Sequence, residues 1–171
     1  KDNTVVTTVM ANIGFHKAIK ENGGRTEITA VGDRYVLENM LANGYNLGGE
    51  QSGHIIFTDF STTGDGPVTA LQVLSYLKRT RHKASAITKI MTSYPQLLVN
   101  VKVATKDGWE DNEAIKASIE EGKQQLGENG RILVRPSGTE PLIRVMAEGP
   151  DQKELEEICH KIADVVKAQQ G

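Results

Sequence analysis

A change of pattern at Ser93-Tyr94-Pro95 constrains the fold of this chain more than any other sequence feature. Before it, runs rich in β-branched residues alternate with helix-like stretches, and glycine-rich turns separate them. After it, the predicted order is strand, helix, strand, strand, helix. The sequence therefore predicts two domains, residues 1–92 and 93–171, joined by a short linker that would allow one domain to close over a ligand.

The first domain is predicted to be an α/β layer with a mixed sheet. Its strands are expected at residues 4–10, 27–31, from 45 onward, and 54–57. Two aspartates are candidates to begin helices. Asp33 is expected to cap the helix that ends near Gly44, and Asp65 precedes a helix with Pro67 in its first turn.

The second domain is predicted to be a small α+β domain, with an antiparallel sheet and two helices on one face. Strands are expected at residues 97–103, 131–135 and 142–147, and a helix at 112–127. The last helix is expected to start at Asp151, with Glu154 completing a capping box.

Composition limits the classes of partner. The formal net charge is −2, so neither nucleic acid nor an anionic membrane is an expected partner. The basic run at residues 78–83 is interpreted as an exposed helix end.

The single cysteine, Cys159, cannot form an internal disulfide, which fits a reducing, cytoplasmic location. The chain opens with Lys1-Asp2-Asn3 immediately before a predicted buried strand and without a starting methionine, a pattern that favours a fragment of a longer protein.

Residues 135–144 have the chemistry of a phosphate site. An arginine fork such as that of Arg135 can bind two phosphate oxygens, and the hydroxyls of Ser137 and Thr139 can donate to others. Gly138 would let backbone amides approach the ligand, and Arg144 could lean back from the next strand. An ordinary hairpin turn is the alternative.

The segment from Gly48 to His54 presents polar groups between two apolar strands. The Glu50 carboxylate could accept hydrogen bonds from neighbouring sugar hydroxyls, Ser52 could add a donor, and His54 could assist a proton transfer. The alternative is a glycine-rich loop without function. Gly32, Asp33 and Arg34, at a strand-to-helix junction, are further candidates for ligand contact. No metal site is expected, since Asp65 among glycines supplies too few ligands.

Taken together, these segments resemble the α-D-phosphohexomutase superfamily, and within it the enzymes that act on glucosamine phosphate. The residues that carry the resemblance are Gly49-Glu50-Gln51-Ser52-Gly53-His54, Arg135-Pro136-Ser137-Gly138-Thr139-Glu140-Pro141 with Arg144, Val31-Gly32-Asp33-Arg34 and Thr63-Gly64-Asp65-Gly66. Their order matches the third and fourth domains of a four-domain enzyme.

The resemblance implies a division of roles. Glu50 and Ser52 would hold the sugar hydroxyls, the 135–144 loop would hold the phosphate that is not reacting, and His54 would lie near the reacting end. The substrates would be glucosamine 6-phosphate and glucosamine 1-phosphate, with a bisphosphate intermediate. The family's phosphoserine and its aspartate-rich magnesium loop have no counterpart here, so this chain is expected to bind but not to turn over. Mg²⁺ is implied for the full-length enzyme only.

Three expectations stay open at the level of sequence. A related enzyme acting on mannose or glucose phosphates has the same kinds of loop. A non-catalytic module that binds a protein or nucleic acid is an alternative from another class. A homodimer of the full-length protein is also among the expected partners, and nothing in these residues decides it.

Overall fold

A computed structural model describes residues 1–171 and divides the chain into two compact units, Lys1–Ser93 and Tyr94–Gly171. The first unit alternates strands with helices, as the sequence predicts. Its elements are β1 (Thr4–Thr8), α1 (Ile13–Glu21), β2 (Arg25–Thr29), α2 (Asp33–Asn43), β3 (Leu47–Gly49), β4 (Ile55–Phe57), α3 (Gly66–Thr80) and α4 (Ala84–Ile87).

The sheet of the first unit is mixed and has the order β2-β1-β3-β4. Strand β1 runs parallel to both β2 and β3, whereas β4 is antiparallel to β3. The carboxyl ends of β1, β2 and β3 therefore lie at one edge of the sheet, which is where ligands bind in open α/β sheets. The predicted mixed-sheet α/β layer is confirmed.

Helix α2 packs on one face of this sheet. Val36 and Met40 of α2 are fully buried against Val6 and Ile56. A Cβ atom on Gly48 would lie 2.5 Å from the Sδ atom of Met40 and 2.7 Å from Cγ1 of Val36, so any other residue would displace these buried side chains. The packing fixes β3, and with it the start of the polar segment that follows.

The second unit is the predicted antiparallel α+β domain. Its elements are β5 (Gln96–Lys102), α5 (Glu113–Leu126), β6 (Arg131–Pro136), β7 (Leu142–Glu148) and α6 (Gln152–Gln170). The three strands have the order β5-β7-β6. Asn112 caps α5, and the Asp151 carboxylate accepts the amides of Lys153 and Glu154 at the start of α6.

The two faces of the second sheet differ in character. Ile143, Val145 and Ala147 are fully buried in a core that includes residues of α5 and α6. Since side chains alternate along a strand, Arg144 and Glu148 extend from the opposite face. The helices therefore cover one face, and the other face carries Arg144 and Glu148 together with the buried Met146.

Two of the strands predicted in the first unit, at residues 4–10 and 27–31, have different bounds in the structure. Strand β1 ends at Thr8 rather than residue 10, because Thr8 forms a turn in which its carbonyl oxygen accepts the Ala11 amide. Strand β2 spans 25–29 rather than 27–31, since the register pairs Thr29 with Thr8 and β1 offers no partner beyond it.

Asp33 is not the cap of α2. Gly32 occupies the cap position with φ of 133°, a conformation that glycine tolerates, and Asp33 is the first helical residue. By contrast, the Asp65 carboxylate accepts the amide of Val68 at 2.8 Å and caps α3 as predicted.

None of the helices combines the length and apolar character that crossing a bilayer requires.

Cys159 is predicted to be unreactive in the folded chain. It is fully buried, and burial raises the pKa of its thiol to about 11. An unfolded thiol ionises near pH ~8.5, so between that pH and about 11 the unfolded state binds fewer protons and the free energy of unfolding falls as pH rises. A chromogenic disulfide reagent should therefore react fully in denaturant and hardly at all in buffer at neutral pH. Rapid reaction of the native chain would contradict this burial.

Candidate functional site

The strongest candidate site lies on the β6–β7 hairpin. Arg135 of β6 and Arg144 of β7 are directly opposite each other in the antiparallel register, so both side chains leave the same face of the sheet. Like charges placed opposite each other destabilise a sheet. An arrangement of this kind is expected where an anion is bound between them.

Ser137 organises the turn that joins these strands. It is 2% exposed, and its hydroxyl oxygen accepts the Glu140 amide and an Nη2–H of Arg144, each at 3.3 Å. Its own amide donates to the Leu142 carbonyl at 2.8 Å. The turn is thus ordered by its own contacts, and the guanidinium of Arg144 is fixed toward Ser137.

Arg135 and Arg144 keep donors available. The side chain of Arg135 makes no hydrogen bond or ion pair within the chain, and the Nε atom of Arg144 is buried without a hydrogen-bond partner. Burial of Arg135 lowers its pKa from the ordinary value, and the nearby positive charge of Arg144 lowers it further. A guanidinium nevertheless stays charged at neutral pH. Both observations describe a cationic site that would be stabilised by an acceptor anion.

Glu140 is the one acid at this site. Its Oε2 atom lies 3.3 Å from Nη2 of Arg144, and its side chain is 56% exposed. This pair neutralises part of the Arg144 charge, and an exposed ion pair of this kind is worth only about 0–1 kcal/mol. An incoming dianion could therefore displace Glu140 at small cost.

Gly138 and Thr139 complete the turn. Both are exposed, and the Thr139 hydroxyl makes no hydrogen bond within the chain. Gly138 has no positive φ, and a Cβ atom there would meet nothing within 4 Å. Neither backbone strain nor packing within the chain requires glycine at this position. Close approach of a ligand to the backbone would account for it.

Gly138→Ala is accordingly expected to leave folding intact while weakening phosphate binding several-fold. The free energy of unfolding should be unchanged or raised by about 0.4–1 kcal/mol, because alanine restricts the unfolded chain. Thermal unfolding and a phosphate titration measure the two effects. Gly130→Ala is the contrasting control, since its Cβ would lie 2.6 Å from the Glu148 carbonyl oxygen and should destabilise the fold. Unchanged phosphate affinity of Gly138→Ala would remove the role given to this glycine.

A second cluster lies at the sheet edge of the first unit, where the segments after β2 and β3 meet. The Oε1 atom of Glu50 accepts the Gly32 amide at 3.0 Å. Gly32 is the cap of α2, so the carboxylate lies at the positive end of that helix. The fold thus joins two segments that are separate in the sequence and holds Glu50 in one orientation.

Ser52 links Glu50 to His54. Its hydroxyl lies 3.4 Å from Oε2 of Glu50 and 3.0 Å from Nδ1 of His54. The turn is closed by the Glu50 amide, which donates to the His54 carbonyl at 2.9 Å, and Gly53 at φ 99° allows the reversal. Ser52 and His54 are exposed, so this cluster of a carboxylate, a hydroxyl and an imidazole could meet a ligand from solvent.

Asp33 and Arg34 have local explanations. The Asp33 carboxylate accepts the Arg34 amide, and the Arg34 guanidinium pairs with Glu38 one helical turn later at 2.7 Å. The Arg34 side chain is 81% exposed. Of the three junction residues, Gly32 is the one that donates a hydrogen bond to Glu50.

The chain has no group of three or more His, Cys, Asp or Glu side chains that could hold a metal ion. A magnesium site needs oxygen ligands arranged around the ion, so the residues present do not fit one. Sequence reasoning also missed Lys106, whose ammonium contacts the Ser137 carbonyl oxygen at 2.8 Å. Nothing in its sequence context indicates this contact, since the two residues are joined only through the fold.

Sequence comparison assigns the chain to a protein family. The profile of phosphoglucomutase/phosphomannomutase alpha/beta/alpha domain III matches residues 1–94, and that of the phosphoglucomutase/phosphomannomutase C-terminal domain matches residues 98–165. The chain therefore belongs to the phosphoglucomutase/phosphomannomutase family, and the resemblance read from its loops is confirmed.

Similar proteins within this class are isomerases of amino-sugar phosphates. The chain is 57% identical to the phosphoglucosamine mutase of Brevibacillus brevis over 168 residues, covering 98% of the chain and 38% of that protein. It is 55% identical to the phosphoglucosamine mutase of Bacillus cereus strain AH187, covering 100% of the chain and again 38% of the relative. The chain thus spans well under half the length of these relatives.

Solved structures show the same fold. N-acetylphosphoglucosamine mutase from Aspergillus fumigatus, in complex with GlcNAc-6P and magnesium, superimposes with a TM-score of 0.79 at 20% identity, covering 98% of this chain and 39% of that one. An N-acetylglucosamine-phosphate mutase of the alpha-D-phosphohexomutase superfamily gives a TM-score of 0.73 at 23% identity, covering 96% of this chain and 38% of that one.

Proposed function

We propose that this chain is the sugar-phosphate-binding part of a longer polypeptide that interconverts glucosamine 6-phosphate and glucosamine 1-phosphate through a bisphosphate intermediate. The observation that carries the proposal is the facing pair Arg135 and Arg144, with its unused donors, beside the ordered hydroxyl of Ser137. The identity of 55–57% to phosphoglucosamine mutases supports the choice of amino sugar.

The second unit would hold the phosphate group that is not reacting. A dianion between Arg135 and Arg144 would relieve their mutual repulsion, and the backbone at Gly138 and the hydroxyls of Ser137 and Thr139 would supply further donors. Charge-assisted hydrogen bonds of this kind fix the orientation of the sugar phosphate. In phosphoryl transfer, such positioning and charge neutralisation provide most of the catalysis.

The first unit would recognise the sugar. Glu50, held by the Gly32 amide, would accept hydrogen bonds from two neighbouring hydroxyls, and Ser52 would add a donor. His54, through the contact of its Nδ1 with Ser52, would lie near the reacting end and assist proton transfer there. Asp33 and Arg34 are proposed as further contacts to the substrate. A contact by Arg34 would require its exposed guanidinium to leave Glu38.

The remaining chemistry would come from the rest of the polypeptide. A phosphoserine and a magnesium ion are proposed there, and this chain alone would bind substrate without turning it over. We place the protein in the cytoplasm, where a free cysteine such as Cys159 stays reduced. We also propose that the longer polypeptide forms a homodimer.

Calorimetric titration of the chain with a panel of sugars tests this proposal. Glucosamine 6-phosphate should bind more tightly than glucose 6-phosphate or mannose 6-phosphate, and unphosphorylated glucosamine should give no measurable heat. Preference for mannose or glucose phosphate would assign the chain to another branch of the family. Equal binding of phosphorylated and unphosphorylated sugar would reject the phosphate site.

A further inference from the structure

A third cation lies against the β6–β7 turn. The Nζ atom of Lys106 donates to the Ser137 carbonyl oxygen at 2.8 Å. Lys106 is half-buried in the loop that follows β5, and at the start of that loop the Val103 amide donates to the Pro141 carbonyl at 3.1 Å. The first part of the loop after β5 is therefore attached to the turn at two points, Val103 and Lys106.

The charge of Lys106 is not neutralised within the chain. None of its ion pairs or hydrogen bonds involves a carboxylate, whereas Lys116, Lys123 and Lys161 each pair with a glutamate. The backbone carbonyl of Ser137 is a neutral acceptor, so this hydrogen bond does not cancel the charge of the ammonium. That charge is available to an anion bound nearby.

The position of this contact matters because Ser137 is also bound by Arg144. The guanidinium reaches the Ser137 hydroxyl while the ammonium reaches the carbonyl oxygen of the same residue. An anion at that hydroxyl would lie within about one Debye length of Lys106, ~10 Å at 0.1 M salt. Interaction between such charges is screened only in part.

The contact also sets the orientation of a peptide group. In a planar trans peptide, the Ser137 carbonyl and the Gly138 N–H point in opposite directions. By holding the carbonyl oxygen, Lys106 prevents the peptide from turning that oxygen toward a bound anion. The Gly138 N–H stays on the other side, where it can donate.

We propose that Lys106 is a positioning residue of the phosphate site, which rests on the proposed function of residues 135–144. It orients the Ser137–Gly138 peptide and adds a third positive charge to those of Arg135 and Arg144. A ligand with a phosphate dianion is the class of molecule that this arrangement fits.

The test is a titration of the chain with inorganic phosphate, followed by the backbone amide signals of Gly138 and Thr139, at about 20 mM and about 200 mM ionic strength. Lys106→Met should bind phosphate about tenfold more weakly at the lower salt, and its affinity should depend less on salt than that of the wild type. Lys106→Arg should remain near the wild type. The control variant Lys153→Met removes an exposed lysine of α6 and should have the phosphate affinity and salt dependence of the wild type.

Each outcome decides a different point. Wild-type affinity in Lys106→Met, with binding lost in Arg135→Ala, would overturn the role of Lys106 and leave the proposed function standing. Weaker phosphate binding by Lys106→Met, with the salt dependence of the wild type, would show that the contact is purely structural. That result would overturn the role given to the charge of Lys106. No phosphate binding by the wild-type chain would overturn the proposed function and this inference together.

Discussion

Arg131→Met is expected to lower the free energy of unfolding of the second unit by about 3–5 kcal/mol. The Nε atom of Arg131 donates to Oε2 of Glu148 at 2.6 Å, and the Glu148 side chain is 0% exposed. Removing the guanidinium takes a charge-assisted partner from a fully buried carboxylate, and the loss is large compared with the 5–15 kcal/mol stability of a typical domain. Urea unfolding followed by the fluorescence of Trp109, the single tryptophan, reports on this unit.

Lys161→Met is the matched control for this prediction. Lys161 pairs with Glu121 at the same 2.6 Å and in the same unit, but its side chain is 57% exposed. Its loss should cost no more than about 1 kcal/mol. The double variant Arg131→Met/Glu148→Met should recover much of the stability, since apolar side chains replace both members of the buried ion pair. Equal effects of Arg131→Met and Lys161→Met would show that burial of Glu148 does not set the cost.

Arg135→Ala is expected to lower the affinity for a sugar phosphate at least about 100-fold without lowering stability. Two charge-assisted hydrogen bonds from a guanidinium contribute about 1.5–3 kcal/mol each, and alanine removes both. The same change removes the repulsion between Arg135 and Arg144, so the free energy of unfolding should be unchanged or slightly higher. Calorimetry with glucosamine 6-phosphate and urea unfolding measure the two quantities.

Arg135→Lys separates charge from geometry. Lysine keeps the positive charge but lacks the fork, so its affinity should fall between those of the wild type and Arg135→Ala. Arg79→Ala, in the basic run at the end of α3, is the control for a general loss of charge and should bind normally. A large loss of stability in Arg135→Ala would mean that this arginine supports the fold rather than a ligand.

Local signals predicted most of the fold. Asp65 followed by Pro67, and Asp151 before an apolar stripe, are helix starts whose energetics depend on a few neighbouring residues. Asp33 has the same local signal, but the helix begins earlier because Gly32 adopts a positive φ and gives its amide to Glu50. Contact between residues that are distant in sequence decided this case, and the sequence does not show it.

The candidate site was predictable in its residue types and less so in its geometry. A turn with arginine, serine and glycine indicated an anion site, yet the pairing of Arg135 with Arg144 depends on hairpin register. Lys106 and the buried Glu148 were not predicted, because each depends on which side chains the folded sheet brings together. Charge and hydropathy along the chain do not contain that information.

The proposed phosphate site is tested most directly by locating the phosphate of a bound ligand on this chain. Two-dimensional ¹H–¹⁵N spectra recorded during titration with glucosamine 6-phosphate report on every backbone amide. The largest shifts are expected on the 135–144 segment, at Gly138 and Thr139 above all, and they should disappear in Arg135→Ala. Shifts confined to other residues, with the 135–144 segment unmoved at saturation, would contradict the proposed site.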